Sequence, residues 1–244
     1  MNCTASGSLN LTIHGLWPTR NGCSHYLQYC NSSYEFNLEE IKSLTTQLEK
    51  FWPSLHKYAN CTSHEHLSGS EYFWCHEWEA HGTCACEVKH IQGEFDFFQT
   101  VLELFEHQMN YDQYVLAKHG IVPSTTHPYR VEKFVDAFVA EWNVKPVLKC
   151  RRMGVTTTTL LSNNLLATDK QIEPTQSSEL CNYLPCAQTH RLCTQFAAHL
   201  LQDGDRQVLD SIRTCLSKDF THRQCTDCIL DESTCDNGFY YYPA

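Results

Sequence analysis

No apolar run in the 244-residue chain approaches the roughly 20 residues that a membrane-spanning helix needs, so no span is expected. Met1 is followed by polar residues rather than by a positively charged start and an apolar stretch, so no signal peptide is legible. Met1 therefore reads as an introduced start, or as the edge of a chain whose native N-terminus is missing. Positive charge is scarce: 18 Lys and Arg stand against 28 Asp and Glu, a net charge of -10 with the histidines neutral. That balance is wrong for a constitutive polyanion binder, because phosphate contacts want a basic face. No internal repeat is visible.

What is abundant points elsewhere. Fifteen cysteines would be a liability in a reducing compartment, so the count argues for disulfides and an oxidising destination, secreted or lysosomal. Four glycosylation sequons, at Asn2, Asn10, Asn31 and Asn60, agree with that reading. Protonating all fourteen histidines would carry the formal charge from -10 to +4. Imidazole titrates near pH 6.5, so repulsion of a polyanion would fade in an acidic compartment. Hydrophobic residues make up 42%, enough for a real core.

Asn37 to Glu40 reads as a capped helix start, with apolar residues at Ile41, Leu44, Leu48 and Phe51 ending at Pro53. Helices are also expected over 71–88, 94–109, a shorter stretch ending at Gly120, and Tyr129 to Trp142. Strands are expected over Leu9 to Leu16, 144–150, 208–216 and Phe239 to Tyr242. Between about 151 and 205 a threonine run, polar stretches and clustered cysteines read as an insertion.

Two segments concentrate the chemistry: Thr12-Ile-His-Gly-Leu-Trp-Pro18 and Phe73-Trp-Cys-His-Glu-Trp-Glu-Ala-His-Gly-Thr-Cys84. Glu77 and His81 are four apart and share a helix face. His76 and His81 are five apart, one residue too long for the two-histidine edge of a zinc protease, which only an irregular helix would rescue. Two histidines with a carboxylate and aromatics suit proton transfer in both directions. RNA supplies its own nucleophile, the ribose 2′-hydroxyl, and single-stranded bases stack on aromatic faces. Any one histidine is more often structural; two compact segments dense in His, Trp and Gly are not.

His14-Gly-Leu-Trp-Pro18 and His76-Glu-Trp-Glu-Ala-His-Gly-Thr-Cys84 resemble the two signature segments of the ribonuclease T2 family. Phe36 to Lys42, Phe51-Trp-Pro53, Lys145-Pro146 with Cys150, Ile212 to Lys218 and Phe239 to Pro243 resemble animal members in the same order. The resemblance implies one α+β domain over 1–244, a mostly antiparallel central sheet flanked by helices and rich in disulfides. Its core would be 9–150 and 206–243, with 151–205 as the insertion.

The resemblance also implies roles. His81 would be the general base on the 2′-hydroxyl and His14 the general acid on the leaving oxygen. His76 would hold the phosphate, and Glu77 would help stabilise the phosphorane. Trp17 would stack on the base 5′ to the cut, and Phe73 would contact the base on the other side. The reaction would be a metal-independent cleavage of single-stranded RNA through a 2′,3′-cyclic phosphate, by a monomer with no cofactor and no DNA partner. Implied disulfides are Cys23–Cys84, Cys150–Cys235 and Cys215–Cys225, and Cys3 matches a cysteine whose usual partner lies upstream. Two departures stand out: Ala80 where the family usually carries Lys, implying a slower enzyme, and Thr19 where many members carry Asp, leaving base preference open. The rival reading is a secreted effector or binding glycoprotein on the same scaffold, with catalysis decayed at Ala80.

Overall fold

The computed structural model describes residues 11–19, 26–55, 61, 67, 69–86, 88, 90–153 and 206–242. The expected insertion lies outside the described residues except for 151–153, and so do the sequons at Asn2, Asn10 and Asn60 and the cysteines at 3 and 23. Helix α1 (Thr45–Phe51) is preceded by a 3-10 turn at Lys42–Leu44. It starts later than the Asn37 cap implies, because the Asn37 side chain accepts from the Glu39 amide and closes a separate turn first. Seven residues are too few to hold a helix in water. Leu48, Trp52 and the neighbouring Ile41 are wholly buried instead, so packing supplies what length does not.

Helices α2 (Ser70–Ala80), α3 (Glu94–Leu104) and α4 (Val131–Trp142) follow. π-helical turns at Phe105–Met109 and Asp112–Leu116 lead to a short 3-10 turn that closes on Gly120, left-handed at φ 64°. Strands β1 (Val147–Arg152) and β2 (Gln207–Arg213) pair antiparallel, from Val147 opposite Arg213 to Arg152 opposite Gln207, with an irregularity between Lys149 and Cys150. Strands β3 (Cys215–Leu216) and β4 (His222–Arg223) form a second antiparallel pair, and helix α5 (Asp227–Leu230) follows. The C-terminal segment joins through bridges from Phe239 to Tyr129 and from Tyr240 to Val208. The architecture is α+β and disulfide-bonded. Its sheet content among the described residues is modest, and 11–16 of the expected first strand is irregular rather than extended into a ladder.

Two apolar clusters carry the fold. One gathers Trp52, Trp74, Trp78, Phe97 and Phe98 between α1, α2 and α3. The other gathers Phe134, Phe138, Leu148 and Phe239 between α4, β1 and the C-terminal segment, and Met109 packs against both. Each fully buried aromatic contributes roughly 1.5–3 kcal/mol relative to exposure. The indole-rich first cluster is the floor on which the two histidine segments rest.

Candidate active site

The segment carrying His14 has no regular structure, so its position comes from anchors. The Ile13 amide donates to the Phe51 carbonyl at 2.8 Å, and the Trp52 indole donates to the His14 carbonyl at 2.8 Å. The Trp74 indole of α2 donates in turn to the Trp52 carbonyl at 2.8 Å. Buried indoles want a partner for their N–H, and here that need couples the first segment, the end of α1 and α2. Gly15 allows the close approach: a Cβ there would overlap the Glu77 carboxylate and the Trp17 indole.

Helix α2 ends at Ala80, and His81 caps it at φ -119° rather than extending it. The helix expected to run over 71–88 is therefore shorter, with a 3-10 turn at Gly82–Cys84 in its place. The angular separation expected of His76 and His81 on a continuous helix does not apply. Their ring centres lie 6.0 Å apart, and ligand atoms of His76, Glu77 and His81 all fall within 4.8 Å of one another. These three could hold a metal ion. A second grouping, Cys61, Cys75 and Glu79, is spoken for by the Cys61–Cys75 disulfide.

Around this turn the six candidate residues converge. His14 Nε2 lies 4.0 Å from Glu77 Oε1, and the Trp17 indole donates to Glu77 Oε2 at 3.0 Å. The His14 ring centre is 4.7 Å from Trp17 and 5.9 Å from Phe73, and Trp17 is 5.3 Å from His81. Their exposures differ: the His14 side chain is 56% exposed, while Glu77 is 1% exposed. Burial pushes the Glu77 carboxyl up to about 8, against the pull of the Trp17 N–H. Burial, and next the charge of His76, holds His81 down at about 4, partly offset by the Leu27 backbone. At mildly acid pH the site thus holds a neutral buried imidazole, a protonated carboxyl group and an exposed imidazole, with Nδ1 of both His76 and His81 buried and unpaired. It can accept one proton and donate another across the space they enclose.

Other residues complete the cleft without a local signal in the sequence. The Tyr26 ring lies 5.1 Å from Trp17, and the Arg213 guanidinium sits over Trp17 at 4.6 Å. Arg213 Nη1 donates to the Tyr26 hydroxyl at 3.1 Å and to Glu232 at 3.3 Å, and Lys149 reaches the same carboxylate at 3.5 Å. Tyr26 lies nine positions beyond Trp17, outside the first motif. Arg213 stands 196 positions beyond Trp17, and only the β1–β2 ladder brings it there.

Disulfides brace the site. Cys150–Cys235 and Cys215–Cys225 are formed. Cys84 is bonded to Cys30, which corrects the implied Cys23–Cys84 pairing. The reason is local: the Tyr29 amide donates to the Ala80 carbonyl at 2.8 Å, laying residue 30 beside the end of α2. Cys228 is disulfide-bonded as well. Asn31 begins an exposed turn in which its side chain accepts from the Ser33 amide at 3.0 Å.

An α+β fold cross-linked by disulfides, with imidazoles and a buried carboxyl group in an aromatic-walled cleft, defines an acid–base type of site. The family model described as "Ribonuclease T2 family" matches residues 2–228, and the chain belongs to that family. Human "Ribonuclease T2" is 39% identical over 140 residues, covering 57% of this chain and 48% of the relative. The chain spans about half the length of the first curated relatives it matches. The crystal structure of human RNase T2 superimposes with a TM-score of 0.58 at 29% identity, covering 96% of this chain and 85% of that one. RNase NT in complex with 5′-AMP gives a TM-score of 0.62 at 22% identity, over 99% and 87% of the two chains, a likeness of fold. No helix among the described residues is long and apolar enough to cross a membrane.

Proposed function

We propose that the chain is an endoribonuclease that cleaves single-stranded RNA by transphosphorylation, without a metal ion, in an acidic lumen or outside the cell. The carrying observation is the convergence on one cleft of a buried imidazole, His81, and an exposed one, His14, which lies 4.0 Å from the buried Glu77 carboxyl group. His81 takes the proton of the ribose 2′-hydroxyl, whose oxygen attacks the adjacent phosphorus. His14 donates a proton to the departing 5′-oxygen, leaving a 2′,3′-cyclic phosphate and a free 5′-hydroxyl. Nucleophile and phosphodiester come from the substrate, so no metal is required. Glu77, protonated below about pH 8, donates to a phosphoryl oxygen as charge develops there, and His76 holds another. Trp17 and Phe73 offer faces to the bases on either side of the cut.

The test is cleavage of single-stranded RNA at pH 5 in EDTA by the wild type, His14→Ala and His81→Ala. Each substitution is expected to cost on the order of 10²–10⁴-fold, with the wild type indifferent to chelation. The acid limb of the pH–rate profile should fall near pH 4, where His81 becomes protonated and loses its function as a base. Cleavage abolished by EDTA alone would overturn the metal-independent reading and point to His76, Glu77 and His81 as ligands. Wild-type RNA left intact would favour a binding glycoprotein on the same scaffold.

A further inference from the structure

Thr19 stands where the resemblance leads one to expect an acidic base reader, so nothing in the first motif says which base the cleft accepts. A cation stands beside the stacking residue instead. The Arg213 guanidinium lies over Trp17 at 4.6 Å and 6.0 Å from the Tyr26 ring centre, against the two aromatics that wall this end of the cleft. It is held, not loose: the side chain is 26% exposed, and Nη1 donates to the Tyr26 hydroxyl and to Glu232. Glu232 also takes Lys149, so the trio of Arg213, Lys149 and Glu232 retains one net positive charge. Nε is buried, and neither hydrogen bond uses Nη2.

We propose that Arg213 is the specificity-determining residue of the base slot at Trp17 and Tyr26, selecting guanine over adenine; this rests on the ribonuclease reading of the cleft. The guanidinium covers part of the Trp17 face, so a base stacked on the rest of that indole shares a layer with the cation and meets it edge to edge. Its remaining Nη2 hydrogens are donors only, with no acceptor beside them. Guanine presents two acceptors, O6 and N7, on one edge; adenine presents N7 beside an amino donor, which would face a cationic donor unpaired. The discrimination is therefore repulsive as well as attractive, which is how a small site separates two purines of similar shape.

The experiment compares binding of 3′-GMP and 3′-AMP by calorimetry to the whole chain as wild type, Arg213→Met and Arg213→Lys, with thermal unfolding of each and RNA cleavage run alongside. Wild type is expected to favour 3′-GMP by about tenfold or more. Arg213→Met keeps the apolar stem and should bring the ratio to within about twofold. Arg213→Lys keeps a cation against Glu232 but loses the planar fork, and should lie between; it carries the comparison should the Met variant unfold. A ratio unchanged in the folded variants, or a wild type without purine preference, overturns the role of Arg213. RNA cleavage absent while guanine selectivity persists overturns the ribonuclease reading and leaves the slot standing, because mononucleotide binding needs no turnover.

Discussion

Replacing Glu77 with Gln separates two mechanisms that share the same contacts. With its carboxyl pushed up to about 8, Glu77 is protonated in roughly 999 of 1,000 molecules at pH 5. Gln imitates that state: its carbonyl can accept from the Trp17 indole, and its amide can face His14 and the phosphoryl oxygen as a donor. Glu77→Gln should therefore keep kcat at pH 5 within about fivefold, whereas Glu77→Ala, which removes the donor, should lose on the order of 10²–10³. The same shift affects stability. An unfolded Glu ionises above its ordinary value of 4.5, while the folded one keeps its proton to about 8. The native state thus binds more protons across that interval, and the contribution of Glu77, fully present below about pH 4.5, is lost as pH rises toward 8. At pH 7 the burden has an upper bound of about 3 kcal/mol. Glu77→Gln should raise Tm by several degrees at pH 7 and leave it nearly unchanged at pH 4.5. Steady-state cleavage at pH 5 and thermal unfolding at both pH values test this. A loss beyond 10²-fold in Glu77→Gln at pH 5, with no gain in Tm at pH 7, would show that the group works as a carboxylate anion and refute the reasoning.

Gly15→Ala should lose more than 10²-fold in activity with a cost of about 1–3 kcal/mol in stability, because its Cβ overlaps the Glu77 carboxylate and the Trp17 indole; near-wild-type kcat would show that the loop has room to retreat. Ala80 is wholly buried at the end of α2. Ala80→Lys is expected to raise kcat at least tenfold, since a cation against phosphorane charge is worth on the order of 10²–10³; unchanged kcat in a folded variant would show that another cation, such as that of the Arg213 and Lys149 cluster, already serves. Non-reducing peptide mapping should find Cys30 joined to Cys84 and Cys61 to Cys75. A Cys23–Cys84 peptide would refute that pairing. Glu94 is buried, with its carboxyl raised to about 8, and accepts from the Asn37 amide. Glu94→Gln should flatten the fall of Tm between pH 4.5 and 8, measured by calorimetry, and an unaltered slope would discount burial as the cause.

The local alphabet of the two histidine segments was legible in the amino-acid order alone, because Glu77 and His81 are four positions apart and the His81 amide still donates to the Glu77 carbonyl where α2 ends. Composition likewise sufficed for the disulfide-rich character, and helical periodicity for α3 and α4, whose apolar stripes are long enough to outweigh local preferences. Tertiary structure decided the remainder. Where α2 stops depends on Tyr29 pairing with the Ala80 carbonyl, and that contact also selects Cys30 over Cys23 as the partner of Cys84. The approach of His14 to Glu77 depends on indole hydrogen bonds from Trp52 and Trp74 across segments with no shared periodicity. Arg213 is the extreme case. A residue on a strand acquires its neighbours from ladder register, which is set by non-local pairing, so no pattern near position 213 could place its cation on Trp17.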